Sequence, residues 1–256
     1  DILVCRTEHP IGSEIKRKIA RFCNVELDAV IESMDVSTIY EVPLLMQKEG
    51  LDKVVLRKLG LEDNAEVKLE QWCNFLERLR NPKKEITIGL VGKYVELQDA
   101  YKSITESIIH AGTENACKVK VNWIHAEEIN SDNVSSKFAG LSGILVAPGF
   151  GDRGVEGKII AIQYARENNI PFLGICLGMQ LAVIEFTRNI LGHSDASSTE
   201  INEQTSTPVI NLMEKQKEVT EKGGTMRLGA YDCLLTKGSN AYNSYKTINI
   251  QERHRH

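Results

Sequence analysis

Hydrophobic positions along this chain follow two periods, and the stretches over which each holds set the elements it predicts. In the first 80 residues the apolar runs are short. Residues 1–5 read as a strand, and Ser13–Phe22 places Ile15 and Ile19 among Glu14, Lys16, Arg17 and Lys18, which predicts a short amphipathic helix. Val30–Glu32 predicts a second short strand, Ile39–Leu45 leads into a helix reaching Lys48, and Val54–Leu59 has helical spacing. Val67–Leu79 is the clearest amphipathic helix of this part, with Leu69, Trp72, Leu76 and Leu79 on one side. Short strands mixed with helices in this way resemble the tail of an α/β domain.

The texture changes at Asn81-Pro82-Lys83-Lys84-Glu85, where Pro82 restricts the backbone before it and charge crowds between two apolar patterns. Residues 1–80 and 84–256 are therefore expected to be separate domains. Beyond the boundary, strands are expected at Ile86–Val91, Val119–Ile124, Leu141–Ala147 and Phe172–Ile175, and helices at Tyr101–Ala111, Gly157–Asn168 and Met179–Phe186. This βα rhythm predicts an α/β fold with a doubly wound, mostly parallel sheet, in which ligands collect beyond the carboxyl ends of the strands. Residues 193–222 are polar and rich in Ser and Thr around Pro208-Val209-Ile210, and read as a long surface excursion. Gly223–Ala230 reads as a turn feeding a strand that extends through Leu235, and Ile248–Arg253 begins a last element.

Composition narrows the function classes. A net charge of −4 over 256 residues does not describe a general polyanion binder, so nucleic acid is not an expected partner. Cys5, Cys23, Cys73, Cys117, Cys176 and Cys233 are scattered, with no pair at zinc-ribbon or Cys-x-x-Cys spacing, a pattern that suits a reduced cytoplasmic protein and leaves no metal site expected. No signal segment and no apolar run of about 18 residues predicts secretion or a membrane span. The chain opens at Asp1 without a methionine and stops within Arg253-His254-Arg255-His256, as a piece cut from a longer polypeptide would.

The densest chemistry lies in Phe172-Leu173-Gly174-Ile175-Cys176-Leu177-Gly178-Met179-Gln180. An apolar run that ends in Gly-Ile-Cys-Leu-Gly before a helical pattern predicts a buried strand turning sharply into a helix, with Cys176 at the bend. Gly174 and Gly178 fall where a tight turn needs the absence of Cβ, and the helix start would direct unpaired N–H groups at the sulfur, an arrangement that favours a thiolate. Cys176 is the candidate nucleophile; a buried core cysteine is the alternative. The bend Ala147-Pro148-Gly149-Phe150-Gly151 ends the preceding strand and could supply main-chain donors to an oxyanion beside it, with Leu177 as partner donor. Pro148 has no N–H, so Gly149 or Phe150 must contribute. No histidine among His9, His110, His125, His193, His254 and His256 is marked as a base by its setting, and His110, on a predicted helix, reads as structural. Gly89-Leu90-Val91-Gly92-Lys93-Tyr94 contains Gly-x-x-Gly-Lys but is two residues too short for a phosphate loop and lacks Ser or Thr after the lysine.

The Cys176 motif resembles the nucleophile turn of class I glutamine amidotransferases. Longer phrases resemble the CTP synthase family within them: Ile88–Leu97, Gly151–Lys158, Ser198-Thr199-Glu200, Gly223–Ala230 and Glu252–His256, with Phe22–Val25 and Ser37–Leu45 resembling the end of that family's synthase domain. The resemblance implies amination of UTP to CTP, with ATP and Mg2+ required by the full enzyme, GTP as allosteric activator, ammonia taken from glutamine, and a homotetramer. It implies that Cys176 forms a glutamyl thioester, that Gly149 and Leu177 form the oxyanion hole, that Gln180 and Glu200 bind glutamine, and that Arg153 belongs to the loop responding to GTP. The chain departs from the family in having Pro148 at a glycine position. The family's His-Pro-Glu, which supplies the base, and its nucleotide-binding residues are not within these 256 residues. A non-catalytic regulatory or assembly module that keeps the fold, and a γ-glutamyl hydrolase-like enzyme, are the rival readings.

Overall fold

The computed structural model describes residues 1–63, 67–211 and 229–253. The chain divides into two compact units, Asp1–Lys84 with Ile109–Lys118, and Glu85–Ile108 with Val119–His256.

The first unit contains β1 (Leu3–Thr7), α1 (Ser13–Phe22), β2 (Val30–Met34), α2 (Val42–Lys48), α3 (Leu51–Leu59) and α4 (Glu70–Arg80). β1 and β2 pair in parallel, Leu3 opposite Val30 and Thr7 opposite Met34. A small core of Ala29, Ile31 and Val54 lies between strand and helix. A second cluster is aromatic: Trp72 donates its indole N–H to the Tyr40 carbonyl at 2.7 Å, and the Tyr40 hydroxyl lies 2.7 Å from His110 Nε2, beside Phe75. His110 is thus held in a packing role, as its helical setting predicts.

The second unit is built on a four-stranded sheet in the order β4-β3-β5-β6, from β3 (Lys84–Gly92), β4 (Cys117–His125), β5 (Gly143–Val146) and β6 (Phe172–Gly174). β5 pairs in parallel with β3 and with β6, Leu145 facing Leu90 on one side and Leu173 on the other. The pleat sends alternate residues to opposite faces. Leu90 and Leu145 pack with Tyr101, Ile104 and Ile108 of the segment containing α5 (Lys102–Glu114). Val91, Ile144 and Val146 pack on the other face against α6 (Val134–Phe138), α7 (Val155–Glu167) and α8 (Leu177–Asn189). Helices on both faces make the doubly wound α/β arrangement expected from the sequence.

Of the 193–222 stretch the described part, residues 193–211, departs from the expected surface excursion, and the rest lies outside the described residues. Ser197–Ser198 (β7) and Pro208–Ile210 (β8) pair in parallel, and Ala196, Ser197 and Ser198 are buried. Ser and Thr side chains that hydrogen-bond locally let so polar a segment fold inward: Asp195 accepts from Ser206 N at 2.9 Å and from Thr207 Oγ1 at 3.1 Å. A hairpin of β9 (Ala230–Leu234) and β10 (Asn249–Arg253), antiparallel, encloses a short helix, Asn240–Tyr245. The expected Gly223–Leu228 turn, His254 and His256 lie outside the described residues. Among the described residues no helix is long and apolar enough to cross a membrane.

Candidate active site

Cys176 is the second of the two residues between the end of β6 and the first turn of α8, and its backbone is in the left-handed half of conformational space, φ 54° and ψ −108°. The Gly178 N–H donates to the Ile175 carbonyl at 3.0 Å, so Ile175 to Gly178 close a four-residue turn with Cys176 at its first central position. These angles are those of a type II′ turn, where glycine is the usual occupant. Placing a side chain there costs on the order of 1–3 kcal/mol, a strain concentrated at functional positions and characteristic of strand-to-helix turns that present a nucleophile.

The two flanking glycines permit the turn by yielding space. A Cβ on Gly174 would come within 2.5 Å of the Gly178 carbonyl group, and a Cβ on Gly178 would collide with the Val146 carbonyl oxygen. The bend therefore fits only because β6, β5 and the first turn of α8 touch backbone to backbone. Neither glycine has a positive φ; the left-handed residue is the cysteine itself. The sequence places the cysteine at the bend, and the structure assigns the glycines a purely steric part.

The sulfur's surroundings are open and polar: Cys176 is exposed and unpaired with any other cysteine. Met179 N–H and Gln180 N–H both donate to the Cys176 carbonyl, at 3.0 and 3.1 Å, which starts α8. Leu177, the first residue of the helix, has an N–H that no helical carbonyl can accept. The Ala147–Gly151 bend leaves the end of β5 beside this turn. Ile175 N–H donates to Val146 O at 3.1 Å, and a Cβ on Gly149 would lie 3.7 Å from Leu177 Cδ2. Cys176, Leu177 and Gly149 are thereby brought together.

Gln180 lies one turn into α8 and is buried, and β7 and β8 pack against the same helix. Glu200 follows β7 by two residues, is exposed, and has its N–H held by Ser198 Oγ at 3.2 Å. Arg153 stands in the loop before α7, its Nε 2.9 Å from Glu127 Oε1.

Two lysines at the site were not foreseen. Lys158, in the second turn of α7, is 1% exposed, and its Nζ donates to the Ala147 carbonyl at 3.0 Å. That Nζ is also 3.6 Å from where a Cβ of Gly149 would stand. Lys93, just past β3, donates through Nζ to the Phe150 carbonyl. The two cations therefore hold carbonyls on either side of Gly149. Burial first, and then the like charge of Lys93, lowers the Lys158 pKa to about 8, with Cys176 opposing both. The missed signal was in the sequence. Lys158 falls three residues after Val155 and four before Ile162, on the apolar stripe of its own helix, where a solvated lysine has no place. Among the described residues no group of three or more His, Cys, Asp or Glu is placed to hold a metal ion.

The family model for class-I glutamine amidotransferases matches residues 96–256, and the model for the CTP synthase N-terminus matches residues 1–61. Over 256 residues the chain is 62% identical to a CTP synthase of Cytophaga hutchinsonii and 60% identical to one of Flavobacterium johnsoniae; over 262 aligned residues it is 56% identical to one of Methanocaldococcus jannaschii. Each alignment takes in 100% of this chain and 48% of the relative, so the chain spans about half the length of the curated relatives it matches. Among solved structures, the glutaminase domain of the Trypanosoma brucei CTP synthase with bound acivicin superposes with a TM-score of 0.59 at 37% identity, covering 67% of this chain and 66% of that one. A strained cysteine between strand and helix at the carboxyl edge of a doubly wound sheet, together with a model match over most of the sequence, shows that the chain belongs to the class-I glutamine amidotransferase family.

Proposed function

We propose that this chain carries the glutaminase half of a CTP synthase, with residues 1–80 as the end of its synthase domain. The observation that carries the reading is Cys176 in its left-handed turn beside Gly149 and Leu177, within a chain similar throughout to CTP synthases. A module without chemistry has no use for a strained, exposed thiol at that position.

In the proposed reaction Cys176 Sγ attacks the side-chain carboxamide carbon of glutamine. A C–S bond forms and the carbonyl electron pair moves onto oxygen, where the N–H groups of Gly149 and Leu177 receive the developing charge. The C–N bond then breaks, the thiol's proton ends on the departing nitrogen, and ammonia leaves a glutamyl thioester that water hydrolyses to glutamate. Gln180 and Glu200 grip the substrate's polar end, Glu200 by pairing with the α-ammonium. In the full-length protein the ammonia aminates UTP in a cytoplasmic homotetramer, using ATP and Mg2+, and Arg153 takes part in the response to GTP.

Replacing Cys176 with Ala in the full-length protein should abolish glutamine-dependent CTP formation while leaving ammonia-dependent formation within about twofold, since it removes the only nucleophile assigned to the amide. Retained use of glutamine by C176A would overturn the reading.

A further inference from the structure

A lysine that is 1% exposed, in a unit whose other charges mostly face water, needs a reason to be where it is. Among the described residues no carboxylate compensates the charge of Lys158; what its Nζ holds is one carbonyl oxygen, that of Ala147 at 3.0 Å. Ala147 follows the last residue of β5 and opens the bend that contains Pro148, Gly149 and Phe150. Its own N–H is tied to Val91 O at 2.9 Å, so the sheet fixes the peptide before the Ala147 Cα and Lys158 fixes the one after it. The bend needs such a clamp. Pro148 offers no N–H with which to brace it, and main-chain donors act on an oxyanion only if their direction is set before charge appears. Lys93, bonded to the Phe150 carbonyl, closes the far side.

We propose that Lys158 is a positioning residue for the reaction at Cys176: its ammonium holds the Ala147 carbonyl so that the Gly149 N–H stays turned to the oxygen of the tetrahedral intermediate. Lys158 touches neither substrate nor sulfur in this role and acts through the bend. The groups of other elements that bear on its charge are Lys93, which opposes it, and Cys176, whose thiolate supports it. With a pKa of about 8, the clamp carries its positive charge most completely below that value.

This inference rests on the glutaminase reading and deepens it. The test compares K158M and K158Q with the parent full-length protein. Loss of a single oxyanion donor reduces kcat about 10²–10³-fold, so misdirection of one should lower glutamine kcat in K158M by at least about 30-fold, with KM changed less than about threefold. K158Q, whose amide can still donate to the Ala147 carbonyl, should recover about tenfold of that loss. Two further readouts separate positioning from structure. Alkylation of Cys176 by iodoacetamide involves no oxyanion and should keep its rate within about threefold in both variants. The melting temperature of K158M should not fall by more than a few degrees, because an uncompensated buried charge is removed.

A K158M protein with parental glutamine kcat would overturn the inference, as would a loss matched by equal loss of ammonia-dependent CTP formation or of alkylation. If K158M fails to fold, K158Q alone decides: glutamine kcat no better than 100-fold below parent, with alkylation intact, removes the hydrogen-bond account. Failure of the glutaminase reading looks different. In that case C176A keeps glutamine use, whereas failure of this inference alone leaves C176A inactive and K158M fully active.

Discussion

Helices α7 and α8 carry one buried charge at each end of their shared interface, and the two are treated in opposite ways. At the far end Glu185, 1% exposed, accepts from Arg166 Nε at 3.0 Å, from the Arg166 terminal nitrogen at 2.7 Å and from Asn189 at 3.0 Å. At the near end Lys158, equally buried, holds a single neutral carbonyl with another cation close by. A carboxylate wrapped by a bidentate guanidinium and an amide is a joint: its desolvation is offset by opposite charge and good geometry. An ammonium left with one dipole and a like-charged neighbour weakens the fold at neutral pH. Its worth lies in what it holds, the bend beside Cys176. The helix pair is thus secured at the end away from Cys176 and strained at the end beside it, as expected when stability is given up locally for a pre-set site.

The largest effect should come from forcing the strained end. In G178A the new Cβ meets the Val146 carbonyl oxygen, a backbone atom that cannot move aside without shifting β5. Overpacking of this kind costs about 2–3 kcal/mol, and the displaced turn should carry Cys176 out of line, lowering glutamine turnover more than about 100-fold. Urea unfolding and glutamine-dependent turnover check the two halves of that statement. Stability within 0.5 kcal/mol of the parent, as for an ordinary surface change, would show that the two backbones do not touch as closely as described.

The opposite end should respond in stability alone. R166M strips Glu185 of both guanidinium bonds and leaves a buried carboxylate with Asn189, a loss of about 2–3 kcal/mol once the one-third exposure of the arginine is allowed for. The double variant R166M/E185L, apolar on both sides, should recover to within about 1 kcal/mol of the parent. Glutamine kcat should stay within about threefold wherever the protein is folded. A 30-fold loss of kcat in R166M would erase the division between a structural and a chemical end.

How far this division could be seen in the sequence depended on where burial comes from. Strands β3 and β5 were legible because strands covered on both faces become unbroken apolar runs, as Ile144-Leu145-Val146 is, and the glycines around Cys176 announced the bend. Helix α8 was expected from Met179 but begins at Leu177, because periodicity cannot register a first turn that opens on Leu177 and Gly178 straight after a bend. Helices as short as Val134–Phe138 and Asn240–Tyr245 hold too few periods to be seen, and β7 and β8 were hidden by Ser and Thr that satisfy themselves locally. Lys158 and Glu185 escaped for another reason. Composition treats a charge as a solvated group; for Lys158 only its place on the apolar stripe of its own helix argues otherwise, and for Glu185 only packing from other elements does.

The smallest effect is a pH dependence that tells the two charges apart. Lys158 titrates at about 8 in the folded protein and at the ordinary lysine value of 10.5 when unfolded. Below about pH 8 both states hold the proton, and the full burial penalty weighs on the fold without changing with pH. Between about 8 and 10.5 the folded protein has released a proton that the unfolded chain retains, so stability rises with pH across that window. K158M lacks the group and lacks the rise. Urea midpoints measured in a C176A background, which leaves Lys158 without that neighbour, should therefore move in favour of Lys158 by about 1 kcal/mol between pH 7 and pH 9, relative to K158M. Removing the thiol also removes the one group that supports the ammonium, so the window opens at or below pH 8 in that background, which enlarges the shift. A difference that stays flat from pH 7 to 9 would mean that Lys158 keeps its proton throughout, as a paired lysine would. The near end of the helix pair would then be as well compensated as the far one.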